Sequence, residues 1–202
     1  MKFLPLLCVL LPAFAQDSPR QIMDRAVADF DQARIADSVR GFDRVAQLAP
    51  QSAPHLWQRG IALYYAGRYQ DCRAQFESHR TVNPNDVENA AWHFLCVARA
   101  ESSTNARKAL LPVGPDARRP MREVLHLFAG KLTPAQVLRA AGDSPEAHFY
   151  AHLYIALHAE ATGDTKTALS EIRLAADPKF EPAGGYMHMV ARVHLRLREN
   201  GK

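Results

Sequence analysis

The stretch His55-Leu-Trp-Gln-Arg-Gly-Ile-Ala-Leu-Tyr-Tyr-Ala-Gly-Arg-Tyr-Gln-Asp-Cys-Arg-Ala-Gln-Phe76, closed by Val82-Asn-Pro-Asn-Asp86, decides the fold. Its apolar residues recur at three and four positions, the spacing of a helix face. Gly67 breaks the run where a helix C-cap needs a left-handed residue. A second helix follows and stops before Pro84, which has no N–H to continue the ladder. Pro50 lies 34 residues before Pro84. A period of that length marks stacked helix–turn–helix units.

Outward from this unit, candidate hairpin turns fall at Ala33-Arg34, Gly67-Arg68, Ser102-Ser103, Gly130-Lys131 and Gly163-Asp164. The spacings are 34, 35, 28 and 33 residues, so the central unit is shortened or distorted. Thr133-Pro134 reads as an N-cap followed by proline at the first helical position. Gly163-Asp-Thr-Lys-Thr-Ala168 repeats the hairpin pattern. A last helix from Pro182 to Arg198 ends the array, with Arg192, Arg196 and Arg198 expected on the polar outer face of a terminal cap. No segment alternates as a strand does, and the chain reads as all-α.

The 53–86 unit resembles the tetratricopeptide repeat (TPR). Gly60 fits the glycine at which two helices approach closely, Cys72 the small-residue position, Phe76 the aromatic one and Pro84 the closing proline. Trp57 stands one residue later than the consensus tryptophan, and Arg59 replaces a leucine. In 19–52 the corresponding positions hold Ala26, Ser38, Phe42 and Pro50. The resemblance implies a right-handed α-solenoid of about five helical hairpins and a capping helix. Its clearest repeats are 19–52, 53–86 and 144–178, with a distorted middle over 87–143. In character the chain is similar to NlpI-type periplasmic TPR adaptors, which implies a scaffold that grips a protein or peptide.

At the N-terminus, Lys2, an apolar run from Phe3 to Leu11 broken by Pro5, and Ala13-Phe-Ala15 read as a signal peptide over residues 1–15. The run is too short to span a bilayer. Cys8 lies inside it, not at a lipid-attachment site. A single helical domain over 16–202 is expected in the periplasm or outside the cell, with no membrane span after cleavage. The formal charge of +4 is spread along the chain, and export argues against nucleic acid as a partner.

In TPR arrays the first helices line the concave surface, so the partner groove is expected there. Leu56, Gly60 and Leu63 form one face of the 55–66 helix, while Trp57, Ile61, Tyr64 and Tyr65 form a neighbouring one. A helix with two apolar faces either sits between layers or offers one to a partner. Leu95 and Arg99, with Glu88, join the surface from the helix after Val87; Tyr150, Leu153, Leu157 and Glu160 join it from the helix after Ser144. Arg99 suits the terminal carboxylate of a peptide. The bland alternative makes the aromatics ordinary core.

Cys72 and Cys96 are the remaining cysteines, a possible disulfide in an oxidising compartment or two buried thiols. Neither sits in a nucleophile motif with His79 or His93, and no phosphate loop, dinucleotide fingerprint or carboxylate pair appears, so catalytic residues and cofactors are not expected. His148 and His152 are four apart, with His158 nearby, but no Cys or carboxylate motif completes a metal set. Arg107, Lys108, Arg118, Arg119 and Arg122 concentrate charge over 107–122. Two rival functions remain at this stage: an envelope glycan or anionic-polymer module using that basic region, and a hydrolase without a recognisable motif.

If the leader is cleaved after Ala15, mass spectrometry of natively produced protein will give an N-terminus at Gln16. Recovery of intact Met1 would remove the argument for export.

Overall fold

A computed structural model of the protein describes residues 17–201; the expected leader at 1–15 lies outside the described residues. Among the described residues every regular element is helical. The order is α1 (Pro19–Asp31), α2 (Ile35–Leu48), α3 (Trp57–Tyr65), α4 (Tyr69–His79), α5 (Val87–Ala100), α6 (Ser103–Lys108), α7 (Met121–Phe128), α8 (Pro134–Ala141), α9 (Pro145–Thr162), α10 (Thr165–Ala175) and α11 (Glu181–Glu199). A 3-10 turn over Pro50–His55 links α2 to α3, and another over Pro178–Phe180 leads into α11. Among the described residues no helix is long and apolar enough to cross a membrane.

Local chemistry explains the boundaries. Ser18 and Thr133 each form a capping box with the glutamine three residues on, ahead of Pro19 and Pro134. Side chains of Asp86, Ser102, Ser144 and Asp164 accept from backbone N–H groups of the helices they begin. Each cap satisfies a donor that a helix start otherwise leaves open. The consecutive helices turn at Ala33, Gly67, Gly130 and Gly163, each with positive φ. Glycine reaches that region without a Cβ penalty; Ala33 does not.

Consecutive helices pack as pairs: α1 on α2, α3 on α4, α5 on α6, α7 on α8 and α9 on α10. The α3–α4 pair is close because Gly60 lacks a side chain. A Cβ there would stand 2.7 Å from the Phe76 ring. Beyond α6, residues 109–120 run without regular structure. Gly114 N–H donates to the Pro84 carbonyl at 3.1 Å and ties that segment back beneath α5.

The first helices then make a closed circuit. α3 packs on α5, α5 on α9, α9 on α11, and α11 returns to α1. α11 bends at Gly185, whose φ of 49° and ψ of −126° interrupt the helix. Arg192 donates to the Asp31 carboxylate at 2.8 Å, and Arg196 to the Asp31 carbonyl at 3.2 Å. Two of the three arginines expected on an outer cap, Arg192 and Arg196, therefore face the end of α1. Inside the circuit Phe30, Ile61, Leu63, Trp92, Phe94 and Phe149 are buried. Truncating any one of these aromatics should cost about 3–5 kcal/mol through lost transfer energy and the cavity left behind.

Cys72 of α4 and Cys96 of α5 are joined in a disulfide, their Cα atoms 5.8 Å apart. The bridge closes a loop between residues 24 apart, and a loop of that length stabilises the fold by about 3 kcal/mol through the unfolded chain. Replacing both cysteines by alanine should move the denaturant midpoint down by the equivalent of that amount. An unchanged midpoint would mean that the bridge does not constrain the chain.

Candidate functional site

The expected groove strip is not open. Ile61, Leu95, Leu153 and Leu157 are fully enclosed, and Tyr64 is 3% exposed. The second apolar face of α3 is occupied by α11. Tyr186 of α11 meets the Trp57 ring edge-on at 4.8 Å and stacks near Phe30 at 6.2 Å. Trp57 is left half-buried. Tyr150 lies apart from the strip, under the Arg118 guanidinium at 5.9 Å.

Tyr64, Tyr65, Arg99 and Glu160 do converge, with two residues that the sequence reading had placed elsewhere or not used. Arg198 of α11 grips the Glu160 carboxylate with two bonds, Nε to Oε2 at 2.7 Å and Nη2 to Oε1 at 2.6 Å. His194 Nε2 lies 3.0 Å from Oε2, and its Nδ1 faces the Tyr65 hydroxyl at 3.0 Å. Four residues separate His194 from Arg198, so both project from one face of α11. Nothing in the local sequence announced His194, because its partners lie far away along the chain.

Burial works to raise the Glu160 carboxyl, but hydrogen bonds and charge from His194 and Arg198 outweigh it and hold the group at about 2. Burial pushes the Tyr65 phenol far above its ordinary range. The Glu160–His194–Tyr65 chain resembles a nucleophile relay in outline, but here Arg198 also grips both oxygens of the carboxylate. The cluster acts as an ionic clasp between α9 and α11.

Arg99 stands at the rim of this clasp. Its Nε donates to the Tyr69 hydroxyl at 3.3 Å, the guanidinium lies 5.6 Å from the Tyr69 ring centre, and Nη1 is 3.9 Å from Glu160. Glu160 is claimed more closely by its α11 partners, so the Arg99 charge is only partly offset. Two open pockets meet at Arg99. One, of about 480 Å³, is bordered by Ile35, Tyr64, Tyr65 and Tyr69. The other, of about 370 Å³, has an apolar wall of Ala168, Leu169 and Ile172.

The basic region does not form a single cationic surface. Arg118 bonds Asp86 at 2.6 Å and Asp116 at 2.7 Å and also pairs with Glu88, while Arg122 pairs with Glu123. With Arg118 committed to three carboxylates, the 107–122 segment loses its central charge for an anionic polymer. His148 Nε2 donates to the Gly142 carbonyl at 2.7 Å, and His152 Nδ1 lies 2.7 Å from Glu171. His158 packs against Phe94 and Phe128, and burial with the Arg107 charge holds it at about 4. The His148 and His152 rings stack with centres 6.1 Å apart, while each gives a ring nitrogen to a different partner. Bonded to each other, Cys72 and Cys96 present no thiolate.

Comparison with known proteins finds no matching family model and no similar curated protein.

The clasp makes a pH prediction. A carboxyl held at about 2, against an ordinary 4.5, stabilises the fold fully above its unfolded value. That contribution disappears as pH falls from about 4.5 towards 2. Glu160→Gln should cost about 3 kcal/mol at neutral pH, the scale for breaking a buried pair. It should also flatten stability against pH over that window; melts giving parallel curves for the two proteins would exclude the clasp as a source of acid sensitivity.

Proposed function

We propose that this chain is a non-enzymatic binding scaffold of TPR type that takes a protein or peptide segment outside the cytoplasm. What supports the repeat reading is the succession of five helix pairs among the described residues, four of them turning at a left-handed position, with Gly60 against Phe76 at the helix crossing. The disulfide between Cys72 and Cys96 favours an oxidising compartment. Because α11 fills the first-helix face, the reading moves the binding surface from the Trp57 strip to the rim at Arg99.

The observation that carries the proposal is the position of Arg99 between two open pockets, one with an apolar wall. A peptide ending there would place its carboxylate on the guanidinium, a charge-assisted bond of the stronger kind. Its last side chain would lie against Leu169 and Ile172. Nothing in this arrangement requires a reaction. The rivals lack a comparable feature: Arg118 is committed to carboxylates, and Glu160 is taken up by Arg198 and His194 of α11.

Selection of random C-terminal peptides on the folded protein, followed by titration of the enriched ones, tests the reading. Enriched peptides should end in an apolar residue and lose affinity by about tenfold on C-terminal amidation, with Arg99→Ala producing a similar loss. The Arg99→Ala melting temperature should stay near that of the parent, since the side chain is 41% exposed. Enrichment indifferent to both amidation and Arg99 would reject the site.

A further inference from the structure

At the other end of α5 from Arg99, the two tryptophans border a second and smaller pocket, of about 190 Å³. Its aromatic walls are Trp57, Phe76 and Trp92, the last two stacked with ring centres 6.4 Å apart. Asp86 and Glu88 border it too. The volume equals roughly six liquid waters at about 30 Å³ each. That accommodates the head of a small molecule or one side chain, and excludes a nucleotide or a folded segment.

The polar groups around it are mostly acceptors, with the Trp92 indole N–H an unpartnered donor among them. Asp86, Glu88 and Asp116 share one guanidinium, Arg118. Glu88 also accepts the Tyr154 hydroxyl at 2.5 Å, and burial pushes its carboxyl upward despite the opposing Arg118 charge. Three carboxylates against one cation leave the region rich in acceptors and negative potential. Asn89, 3% exposed, borders the pocket and leaves its Oδ1 without a partner. Buried acceptors in that condition cost the fold about 1–3 kcal/mol, and a donor brought by a ligand would relieve it. Phe76 and the two indoles supply the negative ring faces that attract cations. His79 completes the wall, but its Nδ1–H is already given to the Pro54 carbonyl at 2.8 Å.

We infer that the Trp57–Trp92 pocket binds a small organic cation bearing N–H donors, the head of a guanidinium or a primary ammonium. The aromatic faces answer its charge, Asn89 and the carboxylates answer its donors, and the size admits the head alone. The inference stands apart from the Arg99 site, whose ligand has the opposite charge.

The chain's two tryptophans are both in this pocket, so intrinsic fluorescence reads occupancy directly. Titration with n-propylguanidinium chloride should give a saturable change that neither sodium chloride at equal ionic strength nor neutral n-propylurea reproduces. Asp86→Asn removes one charge while keeping a strong helix N-cap, and should weaken binding by about tenfold. Should that variant fail to fold, Glu88→Gln, which still offers an acceptor to Tyr154, is titrated in its place. Tighter binding of acetyl-arginine amide than of n-propylguanidinium assigns the head to an arginine of a partner; equal affinity assigns it to a free cation. A linear, unsaturable response, an equal response to n-propylurea, or an unchanged dissociation constant in the charge-removed variant would overturn the proposal.

Discussion

A carboxylate taken out of water must find cations and donors, and Glu160 finds both on the face that α11 turns towards α9. That demand fixes the position of the last helix along its axis. With His194 and Arg198 held at Glu160, the helix rise of about 1.5 Å per residue carries Tyr186 roughly 12 Å back, about two turns beyond the clasp. There it meets Trp57 and Phe30. Arg192, between these points, reaches Asp31. Breaking the clasp alone would leave a buried carboxylate unpaired. The ionic contact therefore specifies the register of α11, while apolar burial supplies most of the energy.

This closure separates what was legible in the sequence from what was not. Helix starts at Ser18, Asp86, Thr133, Ser144 and Asp164 are written locally, because a cap acts on backbone groups two or three residues away. Turns at Gly67, Gly130 and Gly163 are legible for the same reason. So is the close approach at Gly60. The fate of the second apolar face of α3 is not local. Tyr65 meets His194 across 129 residues, and Arg192 meets Asp31 across 161. The periodicity of α3 states that two faces need cover without saying what covers them. An open groove followed from assigning the cover to a partner; the chain supplies it from its own C-terminal helix. The tyrosine, arginine and glutamate positions nevertheless survive as a cluster, because residues on first helices converge whether the circuit is open or closed.

Closure has a cost in reach and a gain in definition. An open array offers an extended concave surface, whereas a closed one has only the rims of its first helices to offer. Rim sites are small, and their specificity rests on a few fixed polar groups in preformed pockets rather than on contact area. Arg99 fits that description: Tyr69 holds the guanidinium from one side through both its hydroxyl and its ring. Less side-chain entropy then remains to be lost on binding.

The same reasoning extends along α5, which carries both proposed sites. Asp86 caps its first turn and Glu88 lies within it, while Arg99 lies in its last. The helix dipole favours acids at the first end and bases at the second, so the charges are sorted as the helix itself prefers. Eleven residues separate Glu88 from Arg99, or about 16 Å of helix at 1.5 Å per residue. Two ligands of opposite charge would therefore bind without overlap. Tyr64 touches both regions: its ring meets Trp92 at 5.6 Å and borders the larger pocket at Arg99. Packed at 3% exposure, Tyr64 has little room to move independently of Trp92. A ligand that displaces the Trp92 indole must then shift a wall of the Arg99 pocket too, so the arrangement couples the two sites through the contacts of Trp92 with Tyr64 and Tyr65.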